Sequence, residues 1–322
     1  MISVYALKEK GRVECSTSLD PAWLDPASGV RFWVDLSNPA PEEGEILSKV
    51  FKFHELSIED ALSEIHQPKI EAYDNYLYLI LHGIYFRKGR HDFETRDVDF
   101  FLGENYLVTV SKGESRSLQQ LRDLCSRNGY ALAEGPAALL HRIVDTMVDN
   151  YGPEVEALND RINDIEKQVF EKPQPNLVRT ILSVKRDISS LRRVTLPQRD
   201  VIGRIARREF RLIPEQIVYR FRDVHDHLIR LSDEALLFQD RVTSLLEANL
   251  SQVSNQLNSV MKILTVITTI FMPLTLLTGL YGMNVSLPDF PGHATADFWW
   301  IVFLMVAIAS GMLWFFRRRG WL

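Results

Sequence analysis

A glycine, a thioether and a carboxamide stand together at Gly282-Met283-Asn284, behind Tyr281, in a short link between two uncharged apolar runs. The side chain of Asn284 offers a carbonyl acceptor and an amide donor but no charge. In a homo-oligomer, copies of this link would gather around the mouth of a central pore. Upstream, Asn258, Met261, Thr265, Thr268, Met272 and Thr275 recur at three- and four-residue steps. That spacing lays them along one stripe of a helix, with Leu264 beside it as an apolar constriction. Amides, hydroxyls and thioethers on one stripe suit a narrow wet path. The same spacing equally suits a helix–helix interface, because membrane hydroxyls bond backbone carbonyls and hold helices together. Spacing alone leaves both readings open.

Neither apolar run contains a lysine, arginine or carboxylate. Transporters that strip and ligate a metal place acids or histidines in the membrane, whereas neutral oxygens suit a cation that keeps its water. Magnesium dehydrates reluctantly and is the natural candidate. Pro273 lacks an N–H, so the carbonyl of Thr269 needs another partner in lipid. Two spans cannot enclose an ion path, so a pore requires several copies around an axis.

The elements that must position these groups are a membrane pair and a large charged body. Ile263–Leu280 carries no charge over a length at the lower limit for a spanning helix. Phe298–Phe316 is similar and opens on the interfacial aromatics Phe298-Trp299-Trp300. Lys262 precedes the first run and Arg317-Arg318-Arg319 follows the second, so the positive-inside bias predicts cytoplasmic ends and an outer link. Met1 leads into a polar strand-like stretch rather than a signal peptide. Cys15 and Cys125 make no disulfide framework or metal pattern. A net charge of −5 argues against nucleic acid as a general partner.

In the body, Ser3–Leu7, Arg31–Leu36, Tyr76–Phe86, Asp97–Leu102 and Tyr106–Val110 read as strands. Pro41–Phe53 and Ser57–Glu64 read as helices, with Ser57 and Asp60 resembling a capping box. An α/β domain therefore reaches to about Leu132. A long helical hairpin follows. Gly152-Pro153 should loosen its first arm, Glu171-Lys172-Pro173-Gln174-Pro175 should separate the arms, and Pro197 should end the second. From Pro214 the apolar residues Ile217, Phe221, Val224, Leu228, Leu231, Ala235, Phe238, Val242 and Leu245 keep a heptad rhythm. With no breaker before Pro273, one helix of roughly 100 Å would run from the body into the membrane. The expected divisions are 1–132, 133–212, a stalk 213–262, a first span 263–281, a link 282–297, a second span 298–316 and a basic tail 317–322.

Two further groups have competing readings. Asp223 and His227 share a helix face in Asp223-Val224-His225-Asp226-His227, as a transition-metal pair or as solvated flanks of the seam. The acids Glu154, Glu156, Asp160, Asp164, Glu166 and Glu171 face the arginines Arg204, Arg207, Arg208 and Arg211 in composition. They read as an ordinary charged surface or as a cation-attracting mouth beside a basic region. The scattered His54, His66, His82 and His141 suit core or surface roles. No phosphate loop, nucleophile elbow or paired-carboxylate motif is present, so nothing reads as an enzyme.

Tyr281-Gly282-Met283-Asn284 behind Met272-Pro273-Leu274-Thr275 resembles the CorA family of divalent-cation (magnesium/cobalt) transport proteins. The soluble segments His66-Gln67-Pro68-Lys69-Ile70-Glu71 and Phe221-Arg222-Asp223-Val224 resemble it too. The resemblance implies an α+β cytoplasmic domain of α/β/α sandwich form, long stalk helices and a two-helix transmembrane domain in a homopentameric funnel. It implies an inner (plasma) membrane location with both termini cytoplasmic. Gly282, Met283 and Asn284 would be the selectivity filter. Asn258, Met261, Leu264, Thr268, Met272 and Thr275 would line the pore, with Met261, Leu264 and Met272 as a dewetting gate. Regulatory magnesium between cytoplasmic domains would sit at Asp223, with Asp74 as the facing acid because Asn75 stands where relatives often carry one. Asp289 and Asp297 would attract cations outside. The implied cargo is magnesium, with cobalt, nickel or zinc as other candidates. A zinc transporter, perhaps proton-coupled, and a non-conducting membrane-anchored sensor or scaffold are the alternatives.

Overall fold

The structure, a computed structural model, describes residues 1–8, 13–63, 67–85, 94–113, 115–127, 130–171, 176–283 and 294–321, without the side chains of 85, 94, 127 and 294–297. It divides into two compact units, Met1–Leu245 and Leu246–Leu322.

The first unit is built on a seven-stranded sheet. Its strands are β1 Ile2–Leu7, β2 Val13–Ser16, β3 Arg31–Ser37, β4 Lys69–Ala72, β5 Leu77–Tyr85, β6 Glu94–Leu102 and β7 Tyr106–Ser111, in the order β2-β1-β3-β7-β6-β5-β4. β3 and β7 pair in parallel; the other pairs are antiparallel. The strands expected from sequence are present. β2 and β4 are additions at the two edges, each only 4 residues long, too short to show an alternation.

Successive side chains leave opposite faces, and both faces are covered. Phe32, Val34, Tyr78, Ile80, Phe101 and Val108 pack with Leu47 of α1 (Pro41–Lys49) and Ala61 of α2 (Glu55–Leu62). On the other face, Trp33, Leu79, Leu81, Phe100 and Leu107 meet α3 (Arg116–Arg127), α4 (Tyr130–Ala133) and α5 (Pro136–Asp149). α7 (Leu177–Ala206) and the start of α8 (Glu215–Tyr281) close the same cluster through Ile202 and Phe221. This is the expected α/β/α sandwich. α2 starts earlier than the sequence suggests. His54 caps it through Nδ1, which accepts from the Leu56 N–H at 3.2 Å. Ser57 instead donates to the His54 carbonyl, and Asp60 pairs with Lys69 at 2.6 Å.

α6 (Gly152–Glu171) and α7 form the hairpin, joined by Arg161–Asp187 at 2.6 Å. Gly152-Pro153 does break the run, since α5 ends at Asp149 and α6 begins at Gly152. Pro197 does not: α7 passes through it to Ala206. An interior proline costs about 3 kcal/mol, and local packing offsets it. Val194, Val201, Ile202 and Ile205 are buried around it. The next residue, Gln198, accepts from the His82 N–H at 2.9 Å and donates to the Tyr151 hydroxyl, which donates to the His82 carbonyl. One amide thus ties α7 to β5 and to the α5–α6 junction.

The heptad residues of α8 from Ile217 to Leu245 are buried, apart from the half-buried Leu231, as their rhythm predicts. Arg241 fastens α8 to α6 through Asn159, Asn163 and Glu166.

A buried acid makes this unit sensitive to pH. Tyr78 donates to Asp99 at 2.6 Å. Burial pushes the Asp99 carboxyl up to about 8 against the pull of that bond, and the Asp97 charge adds to the rise. Between about pH 4, the ordinary carboxylate value, and about pH 8, folded Asp99 holds a proton that the unfolded chain has lost. Its contribution is therefore greatest at low pH and is lost as pH rises to about 8. Melting of the wild type and of Asp99→Asn should diverge across this window. The wild type should lose stability relative to the variant from pH 6 to pH 8.

Candidate functional site

The second unit holds the end of α8 and α9 (Ala294–Arg318). Glu215–Tyr281 and Phe298–Arg318 are long and apolar enough to cross a membrane, each with a best window of mean hydropathy 2.0. α9 starts at Ala294, so the connection from Tyr281 is shorter than expected. Arg318 lies over Trp314 and Arg319 over Phe315, at 5.3 and 5.5 Å from the ring centres. The cations are thereby held at the polar end of the span, as interfacial anchors require.

Along the end of α8 Val266 is buried, and Thr269, Ile270, Pro273, Leu274, Leu277 and Tyr281 are partly covered. On α9 they include Ile301, Met305, Ile308, Met312 and Phe316. These are the faces the two helices can share. At 100° per residue, the stripe of Asn258, Met261, Thr265, Thr268, Met272 and Thr275 points well away from that face. Met272 is 73% exposed, Met261 58% and Leu264 55%. The stripe is therefore not the interface between the two spans of one chain.

Its hydroxyls are prepared in a particular way. Thr265 donates to the Met261 carbonyl, Thr268 to Leu264 and Thr275 to Phe271, at 2.7 to 2.9 Å. Each proton is used locally, leaving the oxygen lone pairs as what the stripe presents. The outward-facing hydrogens of a hydrated cation's water shell need such acceptors.

A second apolar seam, missed in the sequence reading, runs beside the stripe. Leu250, Val253, Leu257, Val260, Leu264, Ile267 and Phe271 follow heptad spacing, and each is exposed in the single chain. The first seam ends at Leu245 and continues in register as Asn249, Gln252 and Gln256. One position further along, the apolar series resumes. A one-residue step turns the apolar face by 100°. The signal was in the sequence as a change of heptad phase, hidden by the general apolarity of the span.

At the end of α8, the Gly282 N–H donates to the Thr278 carbonyl and Met283 to Leu280. A Cβ on Gly282 would lie 2.8 Å from the Thr278 oxygen, so any larger residue would push this turn open. Met283 is exposed. Asn284, Asp289 and the side chain of Asp297 lie outside the described residues, as does His66.

In the first unit, Asp223 is exposed on α8, with His227 one turn on at 4.0 Å; His227 also lies 3.8 Å from Asp149 of α5. Asp145, on the same face of α5, is raised by burial and by the charges of Asp149 and Asp223, and lowered by His141 and His227. Sequence reading missed Asp145 and Asp149 because they lie far from Asp223 along the chain. Asp74 is not among these charges. It is exposed in the β4–β5 turn, which Tyr73 and Tyr76 close by stacking and by a backbone bond of 2.9 Å. Among the described residues, no group of three or more His, Cys, Asp or Glu forms a metal-holding set within one chain. The arginine cluster is largely neutralised: Arg204 and Arg207 pair with Glu209, and Arg208 with Glu215.

The family model described as CorA-like Mg2+ transporter protein matches residues 29–318. The cobalt/magnesium transport protein CorA of Thermotoga maritima is 33% identical over 281 residues, 86% of this chain and 79% of that one. The zinc transport protein ZntB of Yersinia pseudotuberculosis is 25% identical over 293 residues, 90% of this chain and 88% of its own. The complete structure of the CorA magnesium transporter from Methanocaldococcus jannaschii superposes with a TM-score of 0.86 at 22% identity, covering 100% of this chain and 99% of that one.

Proposed function

This chain belongs to the CorA-like Mg2+ transporter family, a class of divalent-cation membrane transporters rather than enzymes, and from that premise we propose a homopentameric channel for inward flow of hydrated magnesium. The observation that carries the reading is the exposed stripe from Asn258 to Thr275, whose threonines offer lone pairs. Beside it lies an unpartnered heptad seam. In a parallel ring the seam of each α8 packs on its neighbours, and the adjacent stripe turns to the axis. Met261 and Met272, with Leu264 at the border between seam and stripe, then narrow the path and close it by excluding water. Gly282, Met283 and Asn284 ring the outer mouth, where carboxamides meet the ion's water. Asp289 and Asp297 draw cations toward it.

The protein sits in the plasma (inner) membrane with both termini cytoplasmic, in contact with lipid along both spans. A divalent ion moving inward gains about 4.6 kcal/mol per 100 mV, twice the single-charge value, so the flow needs no nucleotide hydrolysis. Asp223, with Asp145 and Asp149 close by, is the regulatory magnesium position. An ion there offsets mutual repulsion among carboxylates, and its loss at low internal magnesium favours opening. Asp74 serves as a facing acid from a neighbouring subunit.

The zinc transport protein ZntB among the relatives supports a second reading, zinc as the cargo, for which a proton gradient would be the alternative drive. Ion-resolved uptake into liposomes holding only this protein separates the two. Magnesium uptake should follow the membrane potential and ignore an imposed pH gradient, with cobalt and nickel as weaker cargo. Zinc uptake that requires the gradient, without magnesium uptake, would overturn the magnesium assignment. No uptake of any divalent ion would favour the sensor or scaffold.

A further inference from the structure

The helices α6, α7 and α8 are linked by Arg161–Asp187, Arg241–Glu166 and Arg192–Gln239, and the buried apolar rows of α6 and α7 leave each an outer face. The outer face of α7 carries Arg179, Arg186 and Arg193, exposed at heptad spacing. None of them has an ion-pair partner among the described residues. The outer face of α6 carries Glu156, Asp160 and Asp164, exposed and one turn apart. Of these acids only Asp164 has an ion-pair partner among the described residues, the solvent-exposed Lys167 at 3.6 Å. A cationic strip stepping every two turns and an anionic strip stepping every turn, about 10.5 and 6 Å per step, thus flank a single hairpin.

Their heights overlap at Arg193 and Arg186, while Arg179 lies beyond the last acid of the strip. The helices run antiparallel, and the Arg161–Asp187 bond at 2.6 Å fixes their register. Asp160 therefore stands level with Arg186 to within about a turn, Glu156 stands near Arg193, and Asp164 lies between Arg186 and Arg179. Rotation about an axis lengthwise to the hairpin keeps every level at its own height. A ring of identical copies is a head-to-tail assembly, in which one surface of each copy meets a different surface of the next.

We propose that the arginine strip of α7 docks on the acidic strip of α6 of the adjacent copy, a charge-registered contact between neighbouring hairpins. This rests on the ring reading above. It gives the hairpins a role in holding the assembly, separate from the seam at α8. Exposed ion pairs are individually weak and salt-sensitive, so the contact is a reversible one that can loosen without dissolving the ring.

The test uses the full chain in liposomes, with Cys15 and Cys125 changed to Ser. Ser189→Cys lies on the arginine strip and Asp160→Cys on the acidic one. A chain carrying both should yield a ladder of disulfide-linked copies on mild oxidation with copper-phenanthroline. Either single variant alone should not. Arg186→Glu should lower the cross-linking yield roughly fivefold, adding Asp164→Arg should restore it, and 1 M salt, which cuts the screening length to about 3 Å, should mimic the loss. Native mass measurement separates the two layers of the inference. A monomer would remove the ring itself. A multi-copy assembly without the ladder, or with a ladder indifferent to charge reversal, would overturn the docking alone. Loss of co-purifying anionic lipid on Arg186→Glu without any ladder would assign the strip to lipid headgroups instead.

Discussion

Replacing Asn284 by alanine should lower magnesium uptake into liposomes by at least about tenfold while leaving assembly intact. In the proposed pentamer the substitution acts on every subunit at once, so the outer mouth would lose a ring of amides rather than a single contact. A hydrogen bond to an amide is worth about 0.5–1.5 kcal/mol net, and 1.4 kcal/mol is a factor of ten. Even partial use of such a ring by the ion's water shell therefore exceeds a tenfold effect. Asn284→Gln keeps the carboxamide on a side chain one methylene longer, and should retain more uptake than alanine. Uptake unchanged in Asn284→Ala, with normal assembly, would remove these amides from the path. The turn that precedes them supports the assignment, because Gly282 leaves no room beside the Thr278 carbonyl for a side chain.

The second large effect lies in the first unit. Phe221 is fully buried where α8 meets the sheet-side helices, with its ring edge-on to His141 at 5.2 Å. Phe221→Ala should cost about 3–5 kcal/mol through lost transfer energy and the cavity left behind. At roughly 2–4 °C per kcal/mol for a body of this size, the apparent melting midpoint should fall by about 10 °C. Phe221→Leu, which fills most of the space, should lose less. The position bears on the proposed regulatory site because Asp223 follows within one turn of the same helix. Loosening α8 there should also weaken the dependence of uptake on internal magnesium. A melt within 2 °C of wild type would mean that this part of α8 is not anchored to the sheet.

Much of this was legible in the chain. Strands such as Arg31–Ser37 and Tyr106–Ser111 announce themselves as β-branched and aromatic runs. The seam from Ile217 to Leu245 could be read residue by residue. Proline misled where tertiary contacts outweighed local cost. Pro197 looks like a stop, but Gln198, His82 and Tyr151 supply a network that local sequence cannot reveal. Edge strands as short as Val13–Ser16 carry no period to detect. In the candidate site, the stripe and the Gly-Met-Asn turn were visible as patterns. What the stripe faces was not, because that depends on which side α9 can cover. Asp145 and Asp149 were invisible as partners of Asp223, since only folding sets α5 beside α8.

The change of heptad phase in the sequence between Leu245 and Leu250 makes α8 a shaft in which residue count sets the phase of the apolar pattern. Deleting one residue there would swing every downstream side chain by 100° and bring the lower apolar edge into line with the upper. Asn258, Met261 and Thr268 would then trade places with what had been their flank. Losing or gaining whole heptads would alter the reach of the shaft and spare its timing. In this stretch, the number of residues carries information that their identities do not.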